Sequence, residues 1–293
     1  MIYDFSAVKG QEHAKRALEV AVAGGHAMLL VGPPGAGKTM LAQAAATILP
    51  APDAREGVLG SGLGGIWKMP PHTITAEALF HGNGKPPLAA LAHGGLLVLD
   101  DVTGFAPLVL DALKMVLDQG QAGGYPARFT LIVTTNPCPC GHYSDRGTAC
   151  TCTPRLVAQY QQRIPAPLRD RIAIHLEVPQ VDYDKLVDGR PGEPSAAVQA
   201  RVARARAIQR ERFAGSAWQV NADLGPAEVR AYCVLDTTSQ HLLQAAVTQL
   251  QLSARVYDQV LRLARTSADL AGSAQIGCAH VAEAIQYQPR RGA

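Results

Sequence analysis

The chain has 293 residues, 47% of them apolar and 17% charged, with a formal net charge of +3. That length suffices for one large or two ordinary domains around a real core, and so small a charge does not by itself argue for nucleic acid, leaving DNA contact to a local basic surface. The first residues, Met-Ile-Tyr-Asp-Phe-Ser, lack the basic and apolar segments of a signal peptide, and no apolar run approaches the roughly 18 residues of a membrane span. The expectation is a cytoplasmic protein with no membrane partner, whose six cysteines are kept reduced.

In chain order, helical periodicity runs from Gln11 to Ala23, and the apolar run Met28 to Val31 then reads as a strand. It enters Gly32-Pro33-Pro34-Gly35-Ala36-Gly37-Lys38-Thr39, a complete G-x-x-x-x-G-K-[ST] phosphate loop. The chemistry needs this spacing because backbone amides from Gly35 to Lys38 must converge on one phosphate, which only glycine-rich backbone permits. Lys38 is expected to reach the β- and γ-phosphates of a nucleoside triphosphate and the Thr39 hydroxyl to bind Mg²⁺, and the helix that begins there would aim its positive end at the triphosphate. Met40, Leu41, Ala44, Ala45, Ile48 and Leu49 continue at helical spacing until Pro50.

Beyond a glycine-rich stretch at Gly60 to Gly65, the run Leu96 to Leu99 reads as a strand ending in Asp100 and Asp101, the form of a Walker B element. Asp100 would hold Mg²⁺ through water, and Asp101 stands where a base orienting the attacking water belongs. Phe129 to Val133 and Ile172 to Val178 are short continuous apolar runs like Leu96 to Leu99, as expected of parallel strands covered on both faces. The strand from Phe129 ends in Asn136, whose amide could bond the attacking water or a γ-phosphate oxygen.

Four of the six cysteines follow within fifteen residues as Cys138-x-Cys140 and Cys150-x-Cys152, with His142 between them. Such crowding of thiols suggests a tetrahedral Zn²⁺ site of structural kind, although C-x-C is tighter than the usual spacing. A disulfide or redox pair and unliganded thiols are the alternatives. Cys233 and Cys278 fall on helices and are expected in the core.

The turn-rich stretch 188–194 reads as a linker between an α/β domain over residues 1–187 and a helical domain over 195–293. The helical domain comprises Ser195 to Phe213, Pro226 to Cys233, Ser239 to Leu250, Ala254 to Ala271 and Ala279 to Gln286. The first helix carries Arg201, Arg204, Arg206, Arg210 and Arg212, which tempt a DNA reading but fit a solvated outer face. His26, His72 and His93 have no metal spacing and are expected in polar structural contacts.

These residues resemble the magnesium-chelatase-related AAA+ ATPase family over nearly the whole chain. The matching strings include Asp4-Phe5, Val8-Lys9-Gly10-Gln11, Pro71-His72-Thr73-Ile74, Asn136-Pro-Cys-Pro-Cys-Gly141, Asp170-Arg171-Ile172, Leu252-Ser-Ala-Arg255 and Ala268-Asp269-Leu270-Ala271-Gly272. The resemblance implies an AAA+ αβα sandwich with a parallel sheet and a small helical lid, assembled as a ring, expected to be a hexamer, with nucleotide between neighbouring subunits. It makes Asn136 the sensor 1 residue, Arg255 the sensor 2 arginine and Arg171 the finger that reaches a neighbour's γ-phosphate. Arg163 and Arg169 compete for that last role, and an ion pair with Asp170 is the structural alternative. It also sets Val8, Gly10 and Gln11 beside the adenine, with Met40 closing the phosphate site.

Three departures stand out. Asp101 is one methylene shorter than the family's usual Glu, and a base about 1 Å short can slow hydrolysis roughly 100-fold. The segment from Asp118 to Tyr125 is shorter than the β-hairpin of relatives, and Ala51 to Met69 is abbreviated. The relatives' N-terminal Lon-like domain is expected to be absent, since residue 4 already matches the linker that follows it. The sequence therefore points to a slow Mg-dependent ATPase, with a nucleotide-gated regulatory subunit that serves an unidentified protein partner and a DNA-remodelling motor as the rival readings.

Overall fold

The computed structural model describes residues 3–51, 67–82, 84–143, 145, 147–187, 190 and 192–289. The glycine-rich stretch Gly60 to Gly65, most of the abbreviated segment Ala51 to Met69 and part of the expected linker lie outside the described residues. Helix α1 (Glu12–Gly24) leads to strand β1 (Met28–Val31), the phosphate loop and helix α2 (Lys38–Ala44). There follow β2 (Trp67–Lys68), α3 (Ala76–Phe80), β3 (Leu96–Leu99), α4 (Pro107–Gln119), the short strands β4 (Gln121–Ala122) and β5 (Tyr125–Pro126), and β6 (Thr130–Thr135). Helices α5 (Pro154–Gln161) and α6 (Ala166–Arg169), strand β7 (Ile174–Glu177) and helix α7 (Tyr183–Val187) complete the α/β part. The helical part comprises α8 (Ser195–Arg212), α9 (Pro226–Tyr232), α10 (Thr237–Leu250), α11 (Ala254–Leu270) and α12 (Cys278–Gln286).

Local chemistry sets several of these boundaries. Thr75, Thr153, Asp236 and Ser253 each accept a hydrogen bond from the amide three residues on, starting α3, α5, α10 and α11. Pro107 opens α4, and Gly120, in left-handed conformation, closes it.

The five strands β2-β3-β6-β1-β7 form one parallel sheet in that order. Period-two alternation divides their side chains between two cores. Met28, Leu30, Leu96, Val98, Ile132 and Ile174 face the layer of α1 and α2, and Leu29, Leu97, Leu99, Leu131 and Val133 face that of α3, α4 and α6. This is an α/β phosphate-loop fold followed by a helical region. The segment expected to be shorter than the hairpin of relatives forms a minimal one: β4 and β5 pair antiparallel across Gly123 and Gly124.

The first core continues without a break into α8 and α11, which pack on α1. A buried polar network reinforces that contact. Asp269, its side chain wholly inaccessible, accepts from Arg212 Nη1 at 2.8 Å, Arg265 Nε at 3.0 Å and Asn221 Nδ2 at 2.8 Å. Asn221 also donates to Thr266, whose hydroxyl lies 2.7 Å from His26 Nε2 at the end of α1. The basic helix is accordingly only in part a solvated stripe, since Arg204 and Arg210 are exposed but the other three arginines turn to the body. Arg201 pairs with Glu19 and Glu193, Arg206 donates to the Val22 carbonyl and Arg212 to Asp269, because buried carboxylates and helix-end carbonyls of α1 and α11 need donors. His72 and His93 likewise make backbone contacts, with the Asp100 carbonyl and the Arg128 amide. Cys233 is buried, whereas Cys278, at the start of α12, is half-buried.

Asp269→Ala is expected to strand two buried guanidinium groups and to cost about 3–5 kcal/mol, read by urea unfolding. Burial, with Arg262 and Arg206 nearby, depresses His26 to about 3 from its ordinary 6.5. The unfolded chain therefore takes up this proton first, and stability falls as pH drops from about 6.5 towards 3. In His26→Gln the fall is expected to be shallower by up to about 1.4 kcal/mol per pH unit, measured by denaturation at stepped pH.

Candidate functional site: a phosphate loop at the carboxyl edge of the sheet

The carboxyl ends of β1, β6 and β3 lie side by side because β6 pairs with both of the others. From β1 the chain enters the phosphate loop, where Gly35 and Gly37 hold φ of +78° and +87° and an added Cβ at either would meet nothing within 4 Å. Their glycines thus serve a backbone conformation that turns amides into an open cradle. Gly32 has a different reason: a Cβ there would lie 2.2 Å from the Val178 carbonyl oxygen.

Lys38 Nζ donates to the carbonyls of Gly32 at 2.7 Å and Pro33 at 2.9 Å and to Asn136 Oδ1 at 3.0 Å. Asn136, at the end of β6, is thereby tied to the loop lysine. Burial lowers the Lys38 pKa, opposed by Asp100 and Asp101. The Thr39 hydroxyl lies 2.9 Å from both Asp100 oxygens, a hydroxyl and carboxylate pair of the hard-oxygen type that suits Mg²⁺.

Two residues unmarked in the sequence fix these carboxylates. Thr134 of β6 donates to Asp100 Oδ1 at 2.6 Å and accepts from the Asp101 amide at 2.8 Å. Thr103 lies 2.9 Å from Asp101 Oδ1 and 2.8 Å from the Tyr160 hydroxyl. Asp101 itself adopts a left-handed φ of +49°, uncommon outside glycine and asparagine. Only the alternation of β6, which sets Thr134 on the same face of the sheet as Ile132, could have flagged that residue.

Gln11, also left-handed at φ +57°, reaches the loop from the N-terminal side. Its Nε2 donates to the Pro179 carbonyl at 2.6 Å and the Ala36 carbonyl at 3.3 Å. Gly10 packs on Val181 and Lys185, and Val8 is buried, so this segment and the chain after β7 flank the loop together. Met40, half-buried on α2, packs against the first core.

Arg171 and Arg255 are elsewhere. Arg171 precedes β7, and the Ala173 and Ile174 amides bond the Ala27 carbonyl at the start of β1, so Arg171 stands at the amino edge of the sheet. The whole of β1, about 13 Å of strand, separates it from the phosphate loop. Its ion-pair partner is Asp118 at the end of α4, which also pairs with Lys114, and not the sequence-adjacent Asp170. Asp170 instead lies 3.9 Å from Arg255, and its carbonyl accepts from Gln259 of α11 at 2.9 Å. Burial and the nearby Arg255 lower the Arg171 pKa. The two arginines thus form one half-exposed cationic pair remote from their own phosphate loop. Arg163 lies over the Tyr160 ring.

The four cysteines of the loop after β6 converge. Cys138, Cys140, Cys150 and Cys152 bring their sulfurs within 4.8 Å of one another, with separations of 3.4, 3.7 and 3.6 Å among the first three. Sulfurs at 2.3 Å from a tetrahedral Zn²⁺ stand about 3.8 Å apart, so the set fits that ion. Backbone amides of His142 and Thr151 draw the Cys140 thiol down to about 5. Against the pull of a backbone amide on each, burial and the neighbouring cysteines push Cys150 up to about 12 and Cys152 upward. One thiolate forms readily and opposes the next, a repulsion that a dication relieves.

Residues 4–61 and 65–186 match the family described as "Magnesium chelatase, subunit ChlI", and residues 192–288 match "Magnesium chelatase, subunit ChlI C-terminal". Among curated proteins, the chain is 37% identical over 310 residues to competence protein ComM of Haemophilus influenzae, covering 97% of this chain and 60% of that protein. It is 36% identical over 313 residues to YifB of Escherichia coli, covering 98% and 60%. A Mycobacterium tuberculosis relative, Rv2897c, is 31% identical over 97% of this chain and 61% of its own. The chain therefore spans about 60% of the length of these relatives. With a phosphate loop seated on a five-stranded parallel sheet, a helical region behind it and these matches along nearly all its length, the chain belongs to the magnesium chelatase subunit ChlI family.

Proposed function

We propose that the chain is an AAA+ ATPase module that binds MgATP in the phosphate loop and hydrolyses it slowly, each site being completed by a neighbouring copy in a ring, expected to be a hexamer. The observation that carries this reading is the division of charge between the two edges of the sheet. Lys38, Thr39, Asp100 and Asn136 stand together at the carboxyl edge, while Arg171 and Arg255 stand at the amino edge, too far to serve the same nucleotide. Phosphoryl transfer needs cations on the γ-phosphate, and a head-to-tail neighbour is the arrangement that supplies them.

In this reading, the cradle amides and Lys38 hold the triphosphate, and Thr39 and Asp100 hold Mg²⁺, which when bound supplies charge neutralisation on the β- and γ-oxygens. Asn136 is released from Lys38 to orient the attacking water with Asp101. Val8, Gly10 and Gln11 receive the adenine. The four-cysteine knot is read as a structural Zn²⁺ site.

A regulatory module with little turnover is the second reading, favoured by Asp101. Its carboxylate is short and tied back to Thr103. The DNA reading lost its sequence support, since Arg201, Arg206 and Arg212 serve internal contacts.

Lys38→Ala is expected to abolish nucleotide binding, and Arg171→Ala to cut turnover at least 100-fold while leaving nucleotide affinity within a few-fold. Mixed together, the two inactive variants are expected to regain turnover, because the Lys38→Ala chain lends its Arg171 to its neighbour's nucleotide. No recovery, or turnover per chain independent of protein concentration, overturns the shared site. If Asp101→Glu raises turnover at least tenfold, the natural chain is the regulatory form.

A further inference from the structure

The four-cysteine knot touches the phosphate-loop site at two points. Asn136, bonded to Lys38, is separated from the first ligand, Cys138, by one residue. At the second point, Gly141, next to Cys140, lies against Pro34 of the phosphate loop. An added Cβ at Gly141 would stand 2.4 Å from Pro34 Cδ and 2.7 Å from its Cγ, and φ there is +85°. The contact is therefore reserved for glycine on both steric and backbone grounds.

No helix or strand orders the described residues between β6 and α5. Pro137 and Pro139 have no amide to donate, and among the described residues the loop is tied to the body through Asn136 to Lys38, through Gln161 Nε2 to the Pro137 carbonyl at 3.3 Å, and through the Gly141 packing. Within the loop the Gly141 amide bonds the Cys138 carbonyl at 3.0 Å, and His142 Nδ1 meets Asp145 at 3.0 Å. What joins its two halves is the sulfur cluster, which brings Cys150 back onto Cys138 and Cys140.

Resting on the reading of this chain as a nucleotide-binding protein, we propose that the four thiolates hold Zn²⁺ as a brace for the phosphate loop, keeping Gly141 against Pro34 and Asn136 in reach of Lys38, so that nucleotide affinity depends on the metal. Cys138, Cys140, Cys150 and Cys152 are the ligands, and Gly141 is the positioning residue that transmits their order. The ion takes no part in phosphoryl transfer.

The test uses the full chain in three states: zinc-loaded, stripped by a thiol-competitive chelator that is then removed, and reloaded with zinc. Zinc per chain is measured by mass spectrometry, and the affinity for a fluorescent ATP analogue with Mg²⁺ restored is measured by titration. The expected result is one zinc per chain, affinity at least tenfold weaker on stripping, and recovery on reloading. Gly141→Ala is expected to keep its zinc and still bind the analogue at least tenfold more weakly, which separates the brace from any loss of fold in the stripped chain. Equal affinity of Gly141→Ala and wild type overturns the brace. Failure to take up zinc overturns the metal, and failure of the zinc-loaded chain to bind the analogue overturns the underlying nucleotide reading.

Discussion

The pairing of β6 with both β1 and β3 is the constraint on which the site depends. Because β6 lies between them in parallel, the phosphate loop, the acidic pair and Asn136 emerge at one edge within hydrogen-bond reach of each other. Thr134 converts that pairing into chemistry. It accepts from the amide of Asp101 and donates to the carboxylate of Asp100, so Asp100 is aimed by the neighbouring strand while the Asp101 carboxylate is held by Thr103 of its own turn. Thr39 then meets Asp100 from the β1 side, and each hydrogen bond to the ionised carboxylate belongs to the stronger class.

The same sheet that gathers one set of groups holds another apart. A parallel strand of four residues has a carboxyl end and an amino end about 13 Å apart, and the connections before β7 leave Arg171 at the wrong end for its own loop. The helical region follows this geometry, since α11 sets Gln259 on Asp170 and Arg255 beside it. A shared apolar core and the buried Asp269 network hold α11, the helix that carries Arg255, against the α/β part. A buried carboxylate between arginines is costly to desolvate and adds little net stability, but it fixes which partners must meet. Here it fixes α8 and α11 against each other and, through Asn221, Thr266 and His26, against α1.

Most of the architecture was legible along the chain. Strand β1 and strand β3 fall where their apolar runs lie, α8 starts at Ser195, and the later helices match the helical periodicity to within two residues. The short helices α3, α5 and α6 and the two-residue strands were not, because two to eight residues carry too little periodicity to register. The arginine-rich helix was half misleading: Arg204 and Arg210 are exposed as a solvated face expects, but the packing of α8 against α1 and α11 turns Arg201, Arg206 and Arg212 inward.

The sequence by itself determined the local chemistry: a glycine-rich loop whose backbone can curl around phosphate, two carboxylates closing an apolar strand, and four cysteines spaced to fall within reach of one another. These are properties of backbone freedom and of side chains close along the chain, which composition and spacing encode directly. The tertiary structure decided which groups share a site. Strand order alone brings Thr134 to Asp100 and Lys38 to Asn136, gives Arg171 to Asp118 instead of its neighbour Asp170, and presses Gly141 onto Pro34. Those contacts join residues about 30 to 110 positions apart along the chain, and proximity across such separations is set by how strands pair and helices pack, for which spacing carries no signal.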